Sequence, residues 1–85
     1  CISRIASKAD LSEKTKRKAI SILKNAEEAR TSAGKDPMGL AAAALYVACV
    51  MLNENKTQKD VAEAAGVTEV TIRNRYKGLK ASLNL

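Results

Sequence analysis

TQKDVAEAAGVTEVTIRNRYKGL, residues Thr57 to Leu79, is the stretch whose reading decides the fold. Thr57 with Asp60 three residues later matches a capping box, in which hydroxyl and carboxylate each satisfy a free backbone N–H. A short helix is expected after it, with Val61, Ala62 and Ala65 turned inward. Gly66 breaks that helix and supplies the backbone freedom a tight turn needs. Thr68 then caps a last helix running towards Leu83. Ala62 must be small because the second helix crosses close to it. Val61, Val67 and Ile72 form the small core that fixes the angle between the two helices. Helix, glycine turn and helix in about two dozen residues make a helix-turn-helix, expected over residues 57–83.

The last helix reads as two-sided. Ile72, Tyr76, Leu79 and Leu83 recur at spacings of four, three and four and form the inward stripe. Val70, Arg73, Asn74 and Lys77 fall at i, i+3, i+4 and i+7 on another face, polar and basic. A recognition helix sends its N-terminal half into the major groove. There an arginine donates two bonds to guanine O6 and N7, and a valine touches a thymine methyl. Val70 and Arg73 are therefore the candidate base readers. Thr68, Thr71, Lys59 and Lys77 suit phosphates or base edges. Gln58, at the start of the preceding helix, is placed for a phosphate or a base. Arg73 and Arg75 are two apart and cannot enter one groove together. Arg73 shares the face of Val70 and Lys77, so Arg75 is left for a phosphate or solvent. Double-stranded DNA is the partner this pattern implies.

Upstream, Asp36-Pro37 is a helix start, since Asp caps and Pro fits the first helical position. Met38 to Leu52 carries no charge. At about 15 residues the run is shorter than a membrane span. A helix apolar all round is a buried central one, and Ala41 to Ala44 let neighbours approach closely. Asn53 to Lys56 form a polar turn. At the chain's beginning, Ile2, Ile5, Ala6 and Ala9 suggest a short helix ending near Asp10. Ser12 caps a second helix to about Arg30, with Gly34 as a stop beyond it. Its expected apolar stripe is Ala19, Ile20, Leu23, Ala26 and Ala29. Lys14, Lys16, Arg17, Lys18 and Lys24 crowd its first half, near the positive end of the helix dipole. A solvated face is the plainer account of them; a contact with phosphate or a partner protein is the sharper one.

The totals agree. Eighty-five residues make one domain with one core. Alanine, leucine and lysine favour helix, and Phe and Trp are absent. An all-α fold follows: five helices around an alanine-rich one, the last two forming the helix-turn-helix. The net charge of +6 points to a polyanion. A membrane surface fits poorly, because Lys14 to Lys18 lack aromatic anchors. There is no histidine, no pair of carboxylates in an apolar setting, and no glycine-rich phosphate loop. No enzyme activity, cofactor or metal is expected. Cys1 and Cys49 make no disulfide framework or metal spacing. Cys49 reads as a buried reduced thiol, which suits an intracellular setting. No signal peptide is visible, and the start at Cys1 reads as the edge of a fragment from a longer protein.

GKDPMGLAAAALYVAC, residues Gly34 to Cys49, together with the Thr57 to Leu79 segment, resembles the C-terminal repeat of archaeal transcription factor B, the counterpart of eukaryotic transcription factor II B. The resemblance spans Ile2 to Leu83. It implies a five-helix cyclin-like repeat, the second of two in a protein that also carries a zinc ribbon. It implies that the helix-turn-helix reads the B-recognition element just upstream of the TATA box. The base-reading valine and arginine of the family's VTIR motif fall on Val70 and Arg73. Phosphate contacts fall on Thr57, Gln58 and Lys59, and on Lys35 in the loop before the alanine-rich helix. Implied partners are promoter DNA, TATA-binding protein and RNA polymerase, in an archaeal cytoplasm at the nucleoid, with the fragment itself monomeric. The competing account is a cyclin-like protein-interaction module with only non-specific DNA affinity.

Overall fold

A computed structural model of the chain describes residues 2–28 and 37–83. They form α1 (Ile2–Lys8), α2 (Glu13–Glu28), α3 (Pro37–Met51), α4 (Gln58–Ala65) and α5 (Glu69–Leu83), and among the described residues there is no strand. The all-α, five-helix expectation holds. None of these helices is long and apolar enough to cross a membrane.

α3 is the axis. It touches each of the other four helices, α2 and α5 most extensively. Leu40 to Leu45 and Val47 to Cys49 are buried, with Ala41, Ala42, Ala43 and Ala44 all at 0% exposure. Methyl side chains on every side let four helices pack round one. Larger residues from the outer helices fill the spaces: Ile5 from α1, Ile22 from α2, Val61 from α4, Ile72 and Leu79 from α5. Tyr46 of α3 and Tyr76 of α5 meet edge to face, with ring centroids 5.2 Å apart, a geometry that aromatic quadrupoles favour. The described side of the chain thus closes around the uncharged helix that the sequence marks as central.

The inward side of α2 differs from expectation. Ile20 is 45% exposed, whereas Ile22 is 4% exposed. The buried stripe is Thr15, Ala19 and Ile22, with Leu23 at its edge. Ile20 and Ile22 stand on opposite sides of a helix, so only one can face α3. Packing selects the side with Ala19 at its centre, where α3 comes close. α1 also stops two residues early, at Lys8. The expected stop at Gly34, the Asp36 cap, and Ala29 and Arg30 lie outside the described residues.

Three helices close in the same way. Asp10 and Asn53 take positive φ, at 57° and 59°, as Gly66 does at 72°. In each case the next residue's N–H reaches back five residues: Leu11 to Ala6 (2.9 Å), Glu54 to Cys49 (2.8 Å) and Val67 to Ala62 (3.1 Å). This is the Schellman closure, which satisfies the last free carbonyls. Asp and Asn are the non-glycine residues best tolerated there.

The first two of these turns are tied together. Glu54 Oε1 accepts from the Ser12 hydroxyl (2.5 Å), the Thr15 hydroxyl (2.7 Å) and the Ser12 backbone N–H (3.3 Å). Ser12 Oγ in turn caps α2 by accepting from the Thr15 N–H at 3.2 Å. Thr15 is fully buried, so this carboxylate is what satisfies its hydroxyl. The Ser12 hydroxyl bond, followed by that of Thr15, holds the Glu54 carboxyl below its ordinary 4.5. Cys49 lies one turn away, buried and unbridged. Burial first, and the charge of Glu54 second, push its thiol up to about 11, so it stays protonated and inert.

A depressed carboxyl stabilises the fold above its unfolded-state value and loses that contribution as pH falls through the lower, folded value. Glu54→Gln should therefore melt lower than the parent at neutral pH, and the gap should close below about pH 4.5. Thermal denaturation followed by circular dichroism against pH checks this. A gap that stays constant to about pH 3 would remove Glu54 from the account.

Candidate nucleic-acid interface

The helix-turn-helix is α4, Gly66 and α5. Thr57 caps α4 from an extended backbone, φ −100° and ψ 169°. Its hydroxyl accepts from the Asp60 N–H (3.2 Å) and its own N–H donates to the Asp60 carboxylate (3.1 Å). The capping box read from the sequence is present. The Thr57 N–H bond also holds the Asp60 carboxyl below its usual value. Gly66 sits in the left-handed region, and its N–H reaches Ala62 O at 2.8 Å. Thr68 caps α5, accepting from the Thr71 N–H at 3.1 Å. Inward, Val61, Ala62 and Ala65 are buried, and Val67 packs half-buried against the core.

α5 is two-sided as expected. Ile72 and Leu79 are fully buried and Tyr76 is half-buried; the side chain of Leu83 lies outside the described residues. Val70 is 56% exposed. Arg73, Asn74 and Lys77 are exposed beside it, on the face turned away from α3. Among the described residues neither arginine nor lysine of this face makes an ion pair. Val70 stays half in water beside two cations, which leaves about 1–2 kcal/mol of possible burial unused within the chain.

The other expected contacts divide. Lys59, Thr57 and Thr68 are exposed, and Gln58 and Thr71 are half-buried. Thr57 and Thr68 each use an oxygen lone pair for capping. The Thr68 and Thr71 hydroxyls share a hydrogen bond of 2.9 Å, which leaves the pair one proton to offer outward. Gln58 and Lys59 occupy the first turn of α4, where backbone N–H groups are unmet. Lys35 lies outside the described residues. Glu69 opens α5 beside Val70 and was not among the sequence candidates. Its first-turn position, favourable to the helix dipole, is the signal that accounts for it without a ligand. Among the described residues no cluster of three or more His, Cys, Asp or Glu is arranged to hold a metal ion.

Residues 1–82 match the family model described as "Transcription factor TFIIB repeat". The chain belongs to the TFIIB repeat family. It is 58% identical over 84 residues to a protein named "Transcription initiation factor IIB" from Pyrobaculum arsenaticum, covering 99% of this chain and 25% of that protein. It is 54% identical to a protein of the same name from Archaeoglobus fulgidus, covering 26% of it. A "Transcription initiation factor IIB 1" from Thermoplasma volcanium is 55% identical over 84 residues. The chain thus spans about a quarter of the length of the curated relatives it matches. The match runs through the cyclin-like helical bundle and includes both helices of the helix-turn-helix.

Two glycines of this TFIIB repeat separate backbone need from tolerance. At Gly66 there is open space for a Cβ but the φ is +72°; at Gly78, inside α5, there is open space and no positive φ. Gly66→Ala should destabilise by about 1–2 kcal/mol. Gly78→Ala should stabilise by roughly 0.5–1 kcal/mol. Urea unfolding of both variants checks the opposite signs.

Proposed function

We propose that this chain is the second cyclin-like repeat of an archaeal general transcription initiation factor, and that α5 reads the B-recognition element just upstream of the TATA box. The observation that carries this reading is the exposure of Val70 and Arg73 together on the outward face of α5. The names of the relatives support the transcriptional role. The mechanism is docking rather than catalysis. The N-terminal half of α5 enters the major groove, Arg73 bonds a guanine edge, and Val70 packs on a thymine methyl. Thr57, Gln58, Lys59, Thr68, Thr71, Asn74 and Lys77 hold phosphates or base edges around them, and set register rather than sequence. Lys35 is proposed as a further phosphate contact.

In the longer protein, that docking stabilises TATA-binding protein on the promoter and helps bring RNA polymerase to it, at the nucleoid in the archaeal cytoplasm. The isolated repeat works as a monomer with one recognition helix. With so few phosphates met, its affinity at physiological salt falls near the non-specific range of about 10⁻⁴ to 10⁻⁶ M. Measurements therefore belong at low salt, where phosphate attraction is strongest.

Arg73→Ala should weaken binding to the matched duplex by about 1–3 kcal/mol and relax preference at one base pair. Lys77→Ala should weaken matched and scrambled duplexes alike and flatten the salt slope by about one unit. Fluorescence anisotropy across a salt series measures both. Equal losses for Arg73→Ala on the two duplexes would deny it a base-reading role.

A further inference from the structure

We propose that Glu69 is a specificity-determining residue of α5. It selects a base that presents an exocyclic amino group in the major groove, cytosine N4 or adenine N6, and rejects guanine and thymine at that position. This rests on the reading of α5 as the groove helix. Glu69 is the first residue of α5 and its only acid, set against Arg73, Arg75, Lys77 and Lys80. It is exposed, between the exposed Thr68 and Val70. Among the described residues its carboxylate makes no hydrogen bond or ion pair. Arg73 follows four residues later, at the spacing and in the order that favour a Glu–Arg pair on a helix, yet the two do not join. From Asp60 to Ile72 there is no lysine or arginine, so the turn between the two helices and the first turn of α5 bring no cation.

A carboxylate in the first turn suits the helix dipole of the free chain. It does not suit a polyanion. The N-terminal residues of a recognition helix are the ones that reach base edges, so docking α5 carries Glu69 into the groove with Val70. A phosphate is no partner for it there, because both are anions. The base edges are of two kinds. Guanine O6 and N7 and thymine O4 are acceptors, and an ionised carboxylate can only accept. Facing them, the charge is stripped of water and left unpaired. Cytosine N4 and adenine N6 are donors and satisfy it. Affinity is kept for cytosine or adenine and lost for guanine or thymine, which is specificity by exclusion. Glu69 and Arg73 lie along one edge of the outward face, one turn or about 6 Å apart. The selected base therefore lies within about two base pairs of the guanine that Arg73 binds. One side chain asks for acceptors and the other for donors.

The test uses the 85-residue chain and fluorescence anisotropy at low salt. The probes are a promoter duplex carrying the element upstream of the TATA box and its single-base-pair variants, each position taken through every base pair. The parent is expected to prefer cytosine or adenine at one position, within about two base pairs of the position where Arg73→Ala relaxes preference. Its ranking of those two duplexes tells which amino group is selected. At that position Glu69→Ala should raise affinity for the guanine and thymine duplexes about tenfold, and change the preferred duplex by less than about threefold. Preference at the Arg73 position should stay. Glu69→Gln should favour adenine there whichever base the parent selects, because glutamine bonds both N6 and N7. Melting temperatures are measured alongside, so that binding is read where every variant is folded. Equal gains for Glu69→Ala on all duplexes would leave Glu69 a helix-dipole residue that repels phosphate, and would overturn the proposal while Arg73 kept its base. Loss of preference at the Arg73 position alone would overturn it too, since Glu69 would then orient Arg73 rather than meet a base. If Arg73→Ala has no base-specific effect, the groove reading itself fails and this selection falls with it.

Discussion

The close approach of helices to the alanine row of α3 is the constraint everything else obeys. Interaxial distances depend on the side chains at the contact. Four consecutive residues with no exposed surface, Ala41 to Ala44, can be surrounded only if each neighbour comes nearly to backbone contact. Alanines supply little transfer free energy of their own. Their effect is to set distances at which Ile5, Leu45, Val61, Ile72 and Leu79 interlock with almost no solvent access. A larger side chain in that row would push an outer helix away, and interiors this dense pass such strain on.

Because α4 and α5 both rest on α3, the angle of the helix-turn-helix is inherited from the bundle. Gly66 permits the turn, but the buried pair Val61 and Ile72 decides how far it closes. The turn before α4 is held just as firmly. Asn53 reverses the chain at the end of α3, and the next residue, Glu54, grips the start of α2 through Ser12 and Thr15. A surface loop of this kind is ordinarily mobile; here three bonds to one carboxylate oxygen join it to the opposite corner. The lead into the first helix of the motif is thereby part of the rigid frame.

The surface left over divides by charge. On α5 Val70, Arg73, Asn74 and Lys77 share the exposed face. On α2 the exposed Ile20 lies between Arg17 and Lys24, with Lys16 paired to Glu13 at the helix start. Both faces combine positive charge with one exposed β-branched residue. A net charge of +6 would keep such a protein soluble without any of this arrangement.

The sequence by itself determined the helices, the central place of α3, the caps at Ser12, Thr57 and Thr68, and the side of α5 that faces outward. These rest on local rules: capping chemistry, glycine at a left-handed position, and an uncharged run that only an interior accepts. It did not determine which side of α2 lies inward. Ile20 and Ile22 satisfy helical periodicity equally well, and the choice between them belongs to the shape of α3. Nor did it reveal the Asp10 and Asn53 closures or the Glu54 bond to Ser12 and Thr15. Those residues are 39 and 42 positions apart in the chain, so nothing in the local pattern announces their meeting. Only packing brings the two turns together, because a pairing across that distance exists once the helices between them have already docked.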